Sequence, residues 1–259
     1  RACHEFGVPI VARGRGTNTT GAPVPLQGGL VLSLDRLDKI LAVDPANRAL
    51  RVEPGVLNQT AQDEAGKYGF FWPPDPTSAA YCTVGGNIAL NAAGPRAVKY
   101  GATRENILGL VAVTGTGETL HTGCYTTKGA VGYDLTRLLI GSEGTLAVVT
   151  EATLKLTPLP EARRTLQAVY RDIRSATEAV VAIMSQPVIP CALEFMDAAS
   201  IEMIRGYSQT ELPRGAGALL IIEVDGQEAG MDAAVAAISK ATKTSGLVAL
   251  VAAKTKAEA

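Results

Sequence analysis

No run of eighteen apolar residues occurs in the 259-residue chain, so nothing in it reads as a membrane-spanning helix, while peripheral association stays open. An excess of charge is missing too. Against 25 Asp and Glu stand 24 Lys and Arg, a formal net charge of −1, which leaves no general attraction to nucleic acid. Cysteines are few, at 3, 82, 124 and 191, and no two form a CxxC pair. That spacing argues against a disulfide framework or a compact zinc site and fits buried thiols in a reducing compartment. Only two histidines are present, His4 and His121, neither with a second ligand at metal-binding spacing, so no metal site is expected and His121 reads as a strand residue. The chain opens on Arg1 rather than Met and closes on AAKTKAEA after an apolar run. Both ends are expected to be cuts in a longer protein.

What is present is enough apolar material, 47 % of residues, to bury a core and divide into two domains. The prolines at 158 and 160 mark the expected boundary, giving domains of 1–160 and 161–259. The densest stretch is Trp72 to Gly101. Pro73, Pro74 and Pro76 fix φ and remove three amide donors, and Thr77 and Ser78 add hydroxyls where the chain turns. Behind the Gly85–Gly86 pair, Asn87 and Asn91 lie four apart, so a helical turn puts both amides on one side. Such a cluster reads either as a surface turn or as the wall of a ligand site. FFW, ahead of the prolines, reads as core packing under the loop.

A strand over 8–14 runs into RGRGTNTTG, residues 13–21, whose amides can form a concave nest for phosphate. The loop matches neither a Walker A nor a GxGxxG pattern, and a wide turn is the competing reading. Residues 30–56 read as a meander, residues 59–67 as a helix capped by Asn58, and 106–123 as a hairpin turning at Thr116–Gly117. A short helix that starts at Tyr133–Asp134–Leu135, where Asp134 reads as a cap or a ligand contact, and ends at Gly141 then gives way to the SEGT turn and a long strand. Beyond 160, strands and helices alternate: helices at 175–186, 199–208 and 227–244, strands at 164–172, 190–197, 216–226 and 245–254. That pattern suggests an α+β layer with its helices on one face.

Together PIVARGRGTNTTG, VEPGV, PPDPTS, TVGGNIALNAAGPRAVKYGATRENILGL, KGAVGYDLTRLLIGSEGTLAVVTEATLKLTP and, more weakly, ALEFMD carry a resemblance over essentially the whole chain. The sequence is similar to the FAD-linked oxidase family of the vanillyl-alcohol-oxidase (PCMH) type, in its branch of glycolate oxidase catalytic subunits and D-lactate and D-2-hydroxyacid dehydrogenases. The resemblance implies an α+β fold: a two-subdomain, non-Rossmann FAD-binding domain over 1–160, followed by part of an α+β cap domain over 161–259. It sets the FAD pyrophosphate against Arg13, Gly14, Arg15, Gly16 and Thr17, with Asn18, Thr19, Thr20 and Gly21. It lines the cofactor with Pro74, Asp75, Pro76, Thr77 and Ser78, and with Gly85, Gly86, Asn87 and Asn91. It brings Glu143, Gly144 and the backbone of Val149 near the adenosine or flavin side.

Thr17 follows Gly16 in the loop where relatives with covalent flavin often carry histidine, so FAD is expected to be noncovalent. Arg15, Ala93 and Ala147 depart from the family's usual residues. The implied reaction moves a hydride from C2 of a small 2-hydroxy acid, glycolate or D-lactate, to FAD. Further subunits would carry the electrons onward, in a cytoplasmic enzyme held peripherally at a membrane by those partners. Neither an HxxH-like pair nor an EHG motif occurs, so the catalytic base and the family's metal ligands are expected outside this chain. The alternatives are a relative of D-2-hydroxyglutarate dehydrogenase or alkyl-glycerone-phosphate synthase, and a flavin-binding fragment without turnover.

Overall fold

Breaks in the packing divide the chain into two units, Arg1–Gly94 with Gly101–Leu159, and Pro95–Tyr100 with the chain from Pro160 on. The computed structural model describes residues 1–206 and 215–252. In the first unit, helix α1 (Ala2–Glu5) leads to strand β1 (Ile10–Arg13), and β2 (Leu30–Ser33) lies parallel to it, Ile10 opposite Leu30 and Arg13 opposite Ser33. This corrects the expected meander over 30–56. Its first apolar segment returns to β1, because the intervening loop is long enough for the crossover that parallel strands need. The antiparallel run starts only at β3 (Ile40–Asp44) and β4 (Ala49–Val52).

Helix α2 (Asn58–Gly66), strand β5 (Phe70–Phe71) and helix α3 (Val84–Leu90) follow; the short α4 (Ala97–Tyr100) belongs to the second unit. The first unit is completed by β6 (Ile107–Thr114), β7 (Thr119–Gly123), α5 (Leu135–Leu139), β8 (Ala147–Lys155) and β9 (Thr157–Pro158). Strands β3, β4, β8, β6 and β7 form one antiparallel sheet in that order, and β5 pairs with β9. Period-two alternation turns Leu50 and Val52 inward and Arg51 outward, where it pairs with Glu151 at 2.9 Å. The buried face carries Leu50, Ala112 and Leu154 against Ala61 and Ala65 of α2, Val84 and Ile88 of α3, and Trp72.

The second unit takes β10 (Ala162–Tyr170), α6 (Ile173–Met184), β11 (Ala192–Asp197), α7 (Ala198–Ile204), β12 (Ala218–Gly226), α8 (Met231–Ala241) and β13 (Leu247–Ala252). Its antiparallel sheet runs β11-β12-β10-β13, a split β-α-β arrangement. Leu166, Ala168, Leu220 and Ile222 pack with Ala176, Ala179 and Ile183 of α6 and Ile238 of α8. The alternate residues Val169 and Leu219 pack with Ile201 of α7. Helices therefore cover both faces, not one, because the period-two pattern leaves apolar side chains on each side of the central strands. The expected 199–208 helix and 245–254 strand run past the described residues at 207 and 253, and all of AAKTKAEA after Ala252 lies outside them.

All four described cysteines are free; Cys82 and Cys191 are buried as expected, but Cys124 is exposed and Cys3 half-buried. On α4, the Lys99 ammonium pairs with the Asp225 carboxylate, and the Tyr100 hydroxyl donates to it at 2.8 Å. Burial, then that carboxylate, pushes the Tyr100 hydroxyl above its ordinary range.

Two aspartates cap helices of this unit: Asp172 accepts from the Ser175 amide and Asp197 from the Ser200 amide, both at 2.7 Å. Those backbone bonds hold both carboxyls below the usual carboxylate range. A depressed folded-state pKa gives stability that is present above the unfolded value and lost as pH falls through the folded one. Asp172→Asn with Asp197→Asn keeps a capping oxygen and removes the titration. The melting temperature of the double variant should fall less steeply than wild type on acidification below the carboxylate range; parallel curves would show that the caps contribute nothing.

Candidate functional site

The proline stretch is held from beneath. Proline carbonyls still need donors although the amides are gone, and α2 supplies them: Asn58 Nδ2 donates to the Pro74 carbonyl at 2.9 Å. Leu57, not Asn58, occupies the cap position of α2, so the expected Asn58 cap is corrected; its side chain is buried under the loop instead. Gln62 brackets Trp72, accepting from its amide at 3.2 Å and donating to its carbonyl. Trp72 is fully buried and donates its indole N–H to the Asn106 carbonyl at 3.0 Å, the core role expected of FFW. The chain then turns, Ala79 N donating to Pro76 O and Cys82 N to Ser78 O, both at 2.8 Å. Helix α3 starts with the Thr83 hydroxyl accepting from Gly86 N at 3.2 Å and ends at Asn91 in the left-handed region, φ 51°.

The glycine loop lies against that cap. A Cβ on Gly14 would come 2.5 Å from Thr83 Oγ1, so only glycine lets the loop approach so closely. Arg13 packs over Gly16, Arg15 pairs with Asp35 at 3.5 Å, and Asn18 Oδ1 accepts from Gly21 N at 3.3 Å. Among the described residues, none of the amides from Gly14 to Thr20 has a protein acceptor.

The SEGT turn forms the third wall. The last carbonyls of any α-helix lack intrahelical donors. Here Gly141 N donates to Ile88 O and Glu143 N to Ala89 O, both at 2.9 Å, so the turn docks on the end of α3. Glu143 takes φ 53°, and its Oε2 accepts from the Thr20 hydroxyl at 3.0 Å, joining this wall to the glycine loop.

These three separated segments enclose a cleft of about 390 Å³. Of the residues expected at the cofactor, Arg13, Gly14, Arg15, Gly16, Thr17, Asn18, Thr19, Thr20, Pro76, Ser78, Gly85, Gly86, Asn87, Asn91 and Glu143 line it. Gly21, Pro74, Asp75, Thr77, Gly144 and Val149 do not. Pro74 is buried on Asn58, Thr77 is exposed, and Val149 packs against the core of the first unit. Gly144 lines a different cleft, with Cys3 and Ala147. Sequence reasoning missed Thr83 and Pro54, which also line the site. The Thr-x-x-Gly pattern opening α3 was the available signal for Thr83; Pro54 is placed by Gly85, whose amide donates to its carbonyl at 2.8 Å.

The cleft suits a dinucleotide. Asn87 is 3 % exposed, and its Nδ2 is a buried donor with no protein acceptor, an arrangement that costs energy until a ligand acceptor completes it. The free loop amides and threonine hydroxyls suit phosphate oxygens. Both histidines lie elsewhere, His4 on α1 and His121 on β7, as expected of a strand residue.

A mixed α+β unit that closes a glycine loop, a proline turn and a buried asparagine around one cleft is a dinucleotide-binding domain outside the Rossmann class. Residues 1–123 match the family described as FAD binding domain, and residues 159–259 the C-terminal domain of FAD linked oxidases. The glycolate oxidase subunit GlcD of Bacillus subtilis (strain 168) is 45 % identical over 224 residues, 86 % of this chain and 48 % of that protein. A D-lactate dehydrogenase of Anaerostipes hadrus is 40 % identical over 198 residues, 76 % of this chain and 41 % of that protein. A solved structure of alkyldihydroxyacetonephosphate synthase matches with a TM-score of 0.79 at 23 % identity, over 94 % of this chain and 49 % of that one, a likeness of fold. The chain belongs to the FAD-linked oxidase family of the PCMH type, and its cofactor is FAD. It spans about half the length of the curated relatives it matches.

Proposed function

We propose that this chain is the flavin-binding part of an enzyme that oxidises a small 2-hydroxy acid, glycolate or D-lactate, to the 2-oxo acid. The observation that carries the reading is the cleft itself, where a buried, unsatisfied Asn87 amide faces a loop of free backbone donors. The substrate class is supported by relatives whose names specify glycolate oxidase and D-lactate dehydrogenase. Bound FAD supplies a ring that accepts a hydride equivalent from the substrate carbon. The residues around it bind and orient. Loop amides from Gly14 to Thr20 and the Arg13 guanidinium hold the pyrophosphate, and Asn87 Nδ2 donates to an acceptor on the cofactor. The Thr20–Glu143 bond keeps the walls together. GlcD is named as a subunit, which supports partners that take the electrons onward. The same reading makes the enzyme cytoplasmic, held peripherally at a membrane by those partners.

The full-length protein that contains this chain, saturated with FAD, should show flavin absorbance that bleaches on anaerobic addition of glycolate or D-lactate. Bleaching by D-2-hydroxyglutarate alone would move the substrate to the longer acid. Flavin bands of the full-length protein that persist with every 2-hydroxy acid would leave a flavin-binding protein without this turnover and sink the proposal.

A further inference from the structure

Arg104 sits behind the flavin cleft without lining it, and the bonds it makes leave its charge unanswered. Its amide donates to Asn91 Oδ1 at 2.8 Å, and its Nη2 donates to the Ile140 carbonyl at 2.9 Å. Its Nε is buried and has no acceptor. A Cβ on Gly141 would come 2.9 Å from Nη2, so the guanidinium occupies the space that the left-handed glycine leaves open. Among the described residues no carboxylate pairs with Arg104. Glu105 beside it accepts from the Ala102 amide at 2.9 Å, and Glu143 of the adjoining turn accepts from Thr20.

From this we infer that Arg104 is a positioning residue of the cofactor site whose charge favours the diphosphate of FAD; the inference rests on the flavin reading. Two physical links carry it. First, Arg104 holds both ends of one wall. Asn91 lines the cleft and closes α3, and Ile140 begins the turn that brings Glu143 to Thr20. Second, a partly desolvated cation with no counter-charge is unfavourable alone and becomes favourable when an anion binds nearby. Arg15 is already paired with Asp35, so it adds less field than its charge suggests. Among the described residues, neither Arg104 nor the exposed Arg13 has a carboxylate partner. Held behind a wall, Arg104 acts through its field and not by contact, and such a field is felt by a charged ligand and not by a neutral one.

The test compares FAD with riboflavin, which has the same ring system and no phosphate. Dissociation constants are measured by flavin fluorescence against salt concentration for wild type, R104M and R104K, with melting of each flavin-free protein alongside. R104M should weaken FAD by at least about tenfold and leave riboflavin nearly unchanged, with a shallower salt dependence for FAD. R104K, which retains the charge, should recover most of the FAD affinity. R104Q, which keeps a donor for Ile140 and drops the charge, makes the same comparison if R104M does not fold. Equal weakening of FAD and riboflavin would reduce Arg104 to wall support, and no change in either would remove its role; both overturn the inference while leaving the flavin reading intact. Failure of the wild-type protein to bind FAD overturns that reading as well.

Discussion

Trp72→Ala should lower the stability of the first unit by about 3–5 kcal/mol, the usual cost of truncating a fully buried tryptophan. The loss has two sources. The indole lies in the cluster that joins the five-stranded sheet to α2 and α3, and its removal leaves a cavity that the flanking prolines, fixed in φ, cannot easily collapse to fill. It also removes the indole hydrogen bond to the Asn106 carbonyl. Trp72→Phe retains most of the volume and loses only the donor, so it should cost about 1–2 kcal/mol. Because Trp72 is the only tryptophan, its emission reports wild-type unfolding, and the variants need circular dichroism in denaturant. A cost for Trp72→Ala under about 1 kcal/mol would show that this packing is not what holds the unit together. The effect extends to the site. Trp72 and Pro74, held by Gln62 and Asn58, lead directly into Pro76 and Ser78 of the cleft, so flavin affinity should fall with stability.

Much of this site was legible because its walls are built from residues that restrict or free the backbone. Glycine at 14 and 16, proline at 76, and the Asn87–Asn91 spacing each state a local geometry, and the convergence followed once the family pattern tied them together. What stayed hidden depended on long-range pairing. Leu30–Ser33 is too short for its alternation to distinguish a partner in β1 from one in β3. Asn58 reads as a cap in any window of sequence, because only the tertiary fold shows that the Pro74 carbonyl lies within its reach. Ile201, on a helix of seven residues, gave no periodicity from which to assign it to the second face of its sheet. Arg104 lies in the polar run ATREN and resembles any surface arginine until its unaccompanied charge is seen.

The adjacent glycines 85 and 86 should respond to substitution in opposite ways, and the contrast tests the cleft more directly than either alone. A Cβ on Gly85 would lie 2.6 Å from Pro54 Cβ and 2.9 Å from the Pro54 carbonyl oxygen, contacts that a ring and a backbone cannot relieve by rotation. Gly85→Ala must therefore shift α3 away from Pro54, at about 1–3 kcal/mol. At Gly86 the nearest atom to a Cβ is Thr83 Oγ1 at 3.3 Å, and the residue has ordinary negative φ within a helix. Gly86→Ala should then be neutral or stabilise by up to about 1 kcal/mol, since alanine is the better helix former. Because Gly86 lines the cleft, Gly86→Val adds bulk where the cofactor lies, and should weaken FAD by roughly tenfold to a hundredfold in a protein that still melts cooperatively. Melting curves and FAD titrations of the three variants separate the two effects. Were Gly86→Val to bind FAD like wild type, α3 would not be a wall of the cofactor site, whatever the stability of the Gly85 variant.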